Sequence, residues 1–232
     1  MERRDLHAAC EIGSDEMELS QALSQLASFG LCETATAFSG RPVVRVHALL
    51  RAAARERLRK DDRRRDLVDR WAGYYLSLFE SLQSVPESER PYIERDEIRP
   101  RLPHILEAWK WADALGLEPH LQAAADGVVF LQKEHRLDAA EAWLKKANAI
   151  AEELGDRPKL ATRYNNMSQI AQDRGNLDAA EAWMRKAWEM VAELPPSRSR
   201  MDIANIFSQL LTIRGKADEA WAVLEALGEP LE

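Results

Sequence analysis

The sequence predicts an all-α chain: a helix-turn-helix superhelical solenoid, preceded by a small N-terminal subdomain with a short β-hairpin. Three observations point there. A block of seven residues repeats at an offset of 40 positions. Apolar residues inside each copy recur every three or four positions, the period of one helix face. Near the start of the chain the pattern changes to short β-branched runs flanking a Gly-Arg-Pro turn.

The repeat is the firmest of the three. Leu137-Asp-Ala-Ala-Glu-Ala-Trp143 returns unchanged as Leu177 to Trp183. The register continues at Lys146/Lys186, Ala147/Ala187, Glu153/Glu193 and Leu154/Leu194. A third copy sets Asp218, Ala220 and Leu224 against Asp178, Ala180 and Met184. Upstream, Asn165, Ser168 and Gln169 pair with Asn205, Ser208 and Gln209, and Arg174-Gly175 with Arg214-Gly215. A fixed period of this length marks stacked supersecondary units. In the middle unit, Ala161, Tyr164, Met167, Ser168 and Ala171 share one face of a helix over about 158–174. Gly175-Asn176 ends it, because both residues tolerate the left-handed backbone of a helix stop. Ala180, Met184, Ala187 and Val191 then define a second helix over about 177–193. Small Ala180 and Ala187 let the two helices approach, and Met184 fills the gap between them.

The spacing Ala140-x-x-x-Leu144, Ala180-x-x-x-Met184 and Ala220-x-x-x-Leu224 resembles the second helix of the tetratricopeptide repeat. The run Asn165-Asn166-Met167 is similar to the Asn-Asn-Leu of kinesin-light-chain-type repeats. The usual repeat is about 34 residues; the 40-residue period implies helices about a turn longer, joined by Gly155-Asp-Arg-Pro158 and Pro195-Pro196. The expected division is 1–60 for the N-terminal subdomain and 61–118 for a helical bridging region. Repeats follow over 119–232, at about 119–158, 159–198 and 199–228. Trp143 and Trp183, one residue before a core position, are expected to be partly exposed or to contact a neighbouring repeat.

The resemblance also implies a site. In that family the inner face of each first helix lines a groove, and amides there can bond the backbone of an extended peptide. Asn165, Asn166, Gln169, Asn205 and Gln209 are the candidate residues on that concave face. Asn165/Gln169 and Asn205/Gln209 are four apart, so each pair lies one residue above the other. Packing requires no amide there; a solvated helix face is the plainer account of the same residues.

The first 60 residues read as helix, hairpin, helix. Leu19, Leu23, Leu26 and Ala27 share one face of a helix over Glu16–Phe29, ended by Gly30. Leu31-Cys-Glu-Thr34 and Val43-Val-Arg-Val46 are β-type runs, and a helix follows from His47 to Leu58. The stretches Ala22–Glu33 and Val43–Leu58 resemble the winged-helix segment of STAND-class signalling ATPases. Pro100–Ala112 looks like the helical linker that precedes their repeat sensors. That resemblance implies a sensor or regulatory role. It also places His47 where the His of a Met-His-Asp motif contacts the nucleotide phosphate, but Ala48 stands in place of the Asp. No G-x-x-x-x-G-K-[ST] occurs, so nucleotide binding has no support in this chain, and His47 reads as structural.

Composition narrows the function classes. Net charge is −7, and 31% of residues are charged. Residues 1–70 carry net +1 and residues 71–232 net −8. The repeat half is a poor match for a phosphate backbone and a better one for a basic or neutral peptide. Arg51–Arg70 holds nine basic and five acidic residues, which reads as a solvated helix of mixed charge. The helix before the hairpin offers Ser20, Gln21, Ser24, Gln25 and Ser28 but no Lys or Arg, which disfavours the alternative of a DNA-binding winged-helix regulator. The five His are scattered without HExxH spacing, no GxSxG occurs, and Cys10 and Cys32 form no CxxC pair. The chain therefore reads as a non-enzymatic scaffold with a protein or peptide partner and no metal or cofactor. No apolar run reaches the roughly 18 residues of a membrane span, the N-terminus has no apolar signal segment, and free thiols suit a reducing interior; the expected location is cytoplasmic.

Overall fold

A computed structural model describes residues 16–36 and 42–227. Gly40 and Arg41 of the expected turn lie outside the described residues, as do Cys10 and the rest of the N-terminal segment. The chain divides into two compact units, Met1–Ala123 and Ala124–Glu232.

The first unit begins with the expected helix, hairpin, helix order. Helix α1 (Glu16–Ser28) stops at Gly30, whose φ of 66° is cheap only without a Cβ. Strands β1 (Cys32–Thr36) and β2 (Pro42–Val46) pair antiparallel, Cys32 opposite Val46 and Thr34 opposite Val44. Alternation puts Cys32 and Val44 on one face, and both are buried. The Cys32 thiol donates to the Leu23 carbonyl of α1 at 3.5 Å. Helix α2 (Ala48–Arg59) buries no residue, and its Leu49 is exposed. Its start is fixed by His47, whose Nδ1 accepts the Leu49 N–H at 3.3 Å; the imidazole works as a helix cap.

Helices α3 (Arg64–Leu76), α4 (Leu78–Gln83) and α5 (Arg90–Ile93) follow. A π-helical turn (Glu94–Ile98) and a 3-10 turn (Arg99–Arg101) then lead into α6 (Leu102–Ala114) and α7 (Glu118–Ala124). The core here joins Val68, Ala72, Tyr75 and Leu76 of α3 to Ile105, Ala108 and Ala112 of α6, all buried at helical spacing. Buried Arg101 keeps its charge satisfied by donating to the Glu97 carbonyl at 2.6 Å and its carboxylate at 3.1 Å. Arg55 of α2 pairs with Glu107 of α6 at 2.9 Å.

The second unit is three consecutive helical hairpins. A 3-10 turn (Ala125–Gly127) opens into α8 (Val128–Lys133), which pairs with α9 (Leu137–Leu154). Next come α10 (Arg157–Asp173) with α11 (Leu177–Val191), then α12 (Arg198–Ile213) with α13 (Ala217–Glu225). In the middle hairpin every residue assigned to the two facing stripes is buried, from Ala161 to Val191. Ala180, Met184 and Ala187 have no exposed surface, so the helices meet as closely as the small residues permit. The Ser168 hydroxyl donates to the Ala180 carbonyl at 2.9 Å inside that contact. Each hairpin also packs on the next, through α9 on α10 and α11 on α12.

The two indoles differ. Trp143 is buried at 1% exposure, whereas Trp183 is half-buried. Trp183 stacks on Tyr164 with ring centroids 5.6 Å apart, and the Lys186 ammonium lies 4.7 Å from its ring. One period earlier the Tyr164 position holds Ala124, so no ring is there to keep the first indole outside.

Candidate partner-binding face

Helices α10 and α12 each bury one side and leave a mostly polar stripe on the other. On α10 the stripe runs through Thr162, Asn165, Gln169 and Asp173; on α12 it runs through Asp202, Asn205, Gln209 and Ile213. None of these is buried. Helix α10 touches both α8 and α12. On its α8 side, Asp173 of α10 accepts a hydrogen bond from the Gln132 side-chain amide at 3.4 Å.

The five amides fall on these stripes in two environments. Asn165, Asn166 and Gln169 are half-buried, while Asn205 and Gln209 are exposed. The difference follows from order in the stack: α12 lies against α10, and no described helix lies beyond α12 in the same way. Asn165 Oδ1 is enclosed yet accepts no hydrogen bond among the described residues. An amide carbonyl in that state forgoes the roughly 1 kcal/mol of a made bond.

The turns aim the stripes. Gly175 and Gly215 have φ of 72° and 74°, and His135 takes the same left-handed conformation at 55°. Asn176 then caps α11 by accepting the Ala179 N–H at 3.0 Å.

A repeated ionic clasp fixes the spacing between hairpins, and sequence reading missed it. Arg174, at the end of α10, reaches back to α9, pairing with Asp138 at 2.7 Å and with Glu141. One period on, Arg214 reaches back to α11, pairing with Asp178 at 2.5 Å and Glu181 at 3.2 Å. Lys145, then Arg174, hold the Glu141 carboxyl below the usual carboxylate range. Lys216, then Arg185, do the same for Glu181. The signal was present: Arg174/Arg214, Asp138/Asp178 and Glu141/Glu181 all recur at the 40-residue offset.

Beside the clasp, the Tyr164 hydroxyl donates to Glu152 at 2.6 Å, and burial followed by that carboxylate pushes its pKa up to about 12. Arg163 is buried against α9 and donates to the Ala147 carbonyl at 2.6 Å; loss of water lowers its pKa. Both groups bond within the repeat stack.

With this geometry in view, residues 128–193 match a family model described as a tetratricopeptide repeat. The match covers α8 to α11, so these two hairpins are similar to that repeat, a class that in general serves protein interaction. The third hairpin, α12–α13, lies beyond the matched span and joins the series through its shared 40-residue register. No curated protein matches the chain. Among the described residues no helix is long and apolar enough to cross a membrane.

Proposed function

We propose that the chain is a non-enzymatic scaffold that binds an extended segment of a partner protein along the stripes of α10 and α12. The observation carrying this reading is that the amide stripe continues from α10, starting at half-buried Asn165, onto the exposed face of α12. Asn166, Gln169, Asn205 and Gln209 extend the same row of donors and acceptors. Amide rows suit a peptide backbone, whose N–H and C=O groups recur whatever its side chains. The net −8 of residues 71–232 favours a basic or neutral segment. The helix, hairpin, helix order and the place of His47 support the further reading that this is the sensor portion of a STAND-like signalling protein. The scaffold reading is preferred to a DNA-binding one. Ser24 and Ser28 turn their hydroxyls back to carbonyls of α1, and Arg55, Arg59, Lys60 and Arg63 are held by carboxylates.

The test selects ligands on the wild-type chain from a random extended-peptide library. It then measures the best ligand against the variant with Asn165, Gln169, Asn205 and Gln209 all changed to Ala. The variant should fold, since Asn205 and Gln209 are exposed and Ala is the better helix former at the half-buried Asn165 and Gln169, which circular dichroism checks. Each lost amide–backbone bond is worth about 0.5–1.5 kcal/mol, so affinity should fall by at least tenfold. A folded variant with wild-type affinity sinks the groove reading.

A further inference from the structure

We infer that the ligand of the amide stripes is a segment in the polyproline II conformation with basic residues on its flanks; this rests on the groove reading above. The spacing of the amides carries it. Asn165 and Gln169 on α10 recur as Asn205 and Gln209 on α12, in the same register one period on. The two helices touch, so their axes lie roughly 8–10 Å apart. A ligand that makes the same contact on both helices needs equivalent backbone groups at that interval. A polyproline II segment turns once in three residues and so repeats about every 9 Å. The edge of a β-strand repeats every two residues, roughly 6.5–7 Å, and falls out of step with the rows.

The donors and acceptors agree with the spacing. A polyproline II backbone makes no internal hydrogen bonds, so its carbonyls stay open. Those of an α-helix are already used within the helix. Each Asn and Gln side chain brings two N–H donors, and proline, which lacks an N–H, keeps the carbonyl they need.

Charge sets the flanks. Asp173 lies one turn beyond Gln169 at the end of α10, and Asp202 one turn ahead of Asn205 near the start of α12. Equivalent helices of successive hairpins run in the same direction. The two carboxylates therefore stand on opposite sides of a segment that crosses the amide rows. Both are exposed, and neither pairs with a cation among the described residues; Asp173 accepts only the long bond from Gln132. Three residues per turn give the segment three faces. One faces the amides, and lysine or arginine on the other two meets Asp173 and Asp202.

The probes are labelled synthetic peptides of equal length, titrated into the full chain at fixed ionic strength and followed by fluorescence anisotropy. The first repeats Pro-Lys-Pro-Pro-Pro-Lys, which sets lysines on both flanking faces. The second repeats Thr-Lys-Val-Thr-Val-Lys, with the same charge and no polyproline II bias. The third replaces each lysine of the first with glutamate. The first should bind saturably and about tenfold more tightly than the second, because its conformation is set before binding. The third should show no saturable binding. The variant with Asn165, Gln169, Asn205 and Gln209 all changed to Ala should weaken the first peptide by about fivefold or more. So should the double variant Asp173→Asn with Asp202→Asn, whose positions are both exposed and whose fold circular dichroism checks. Equal affinity for the first two peptides, full-strength binding of the first to either variant, or equal binding of the acidic peptide would overturn the polyproline II ligand. Library-selected ligands that are lost on the four-amide variant, beside a first peptide that does not bind, would leave the groove standing and remove only its polyproline II occupant.

Discussion

Glu181 sits where three cations converge. Lys216 lies at 2.6 Å, Arg185 at 2.7 Å and Arg214 at 3.2 Å, and the carboxylate is almost wholly removed from solvent. Lys216, then Arg185, hold its carboxyl below the ordinary value of 4.5. In the unfolded chain those partners disperse and the carboxyl regains its ordinary affinity for protons. Stability from this group is therefore complete above the ordinary value and lost as pH falls through the folded one. Glu181→Gln should lower the denaturation midpoint near neutrality and make its decline in acid shallower. Equal acid slopes in denaturant titrations of the two proteins would count against the clasp. At this scale the sequence was only partly legible. The repeated Arg, Asp and Glu positions were visible, but nothing in the string said that Arg174 and Arg214 point to the preceding hairpin. The amides were found as a row, whereas the enclosure of Asn165 depends on α12 lying beside it.

The hairpin elements were read closely from sequence because their signals are local. Gly175-Asn176 punctuates two amphipathic runs, and the observed α10 and α11 end within two residues of the expected limits. The β-type runs Leu31–Thr34 and Val43–Val46 became β1 and β2. What local pattern left open was which neighbour each residue meets. Trp143 and Trp183 have identical flanks, yet one is buried and the other half-buried, because Ala124 and Tyr164 differ one helix earlier. The first turn carries a testable strain. His135 adopts the left-handed conformation that Gly175 and Gly215 adopt freely, at a cost of roughly 1–2 kcal/mol for a residue with a Cβ. His135→Gly relieves that cost but increases the freedom of the unfolded chain by roughly 0.5–1 kcal/mol. The net expectation is a stabilisation of about 0.5 kcal/mol, read as a small rise in melting temperature. A fall would show that the His135 side chain contributes more than its backbone costs.

Among the described residues of the second unit each hairpin packs chiefly on its neighbours, so stability there is mainly a chain of nearest-neighbour contacts. Position in the stack should then decide how far damage spreads. Ala180 and Ala220 hold the same register and are both buried, the first between two flanking hairpins and the second at the open end. An aspartate at either place buries an unpaired charge at a cost of roughly 3 kcal/mol or more. Ala180→Asp separates α10 from α11 and removes the support on which α12 rests, so amide-exchange protection should drop from α10 through α13. Ala220→Asp separates α12 from α13 alone, and α9, α10 and α11 should keep wild-type protection. The melting temperature should fall further for the first variant than for the second. Matching exchange profiles, with protection lost throughout the unit in both, would mean that the hairpins form one cooperative block. An unchanged melting curve for Ala180→Asp would overturn the helix pairing on which the binding face is built.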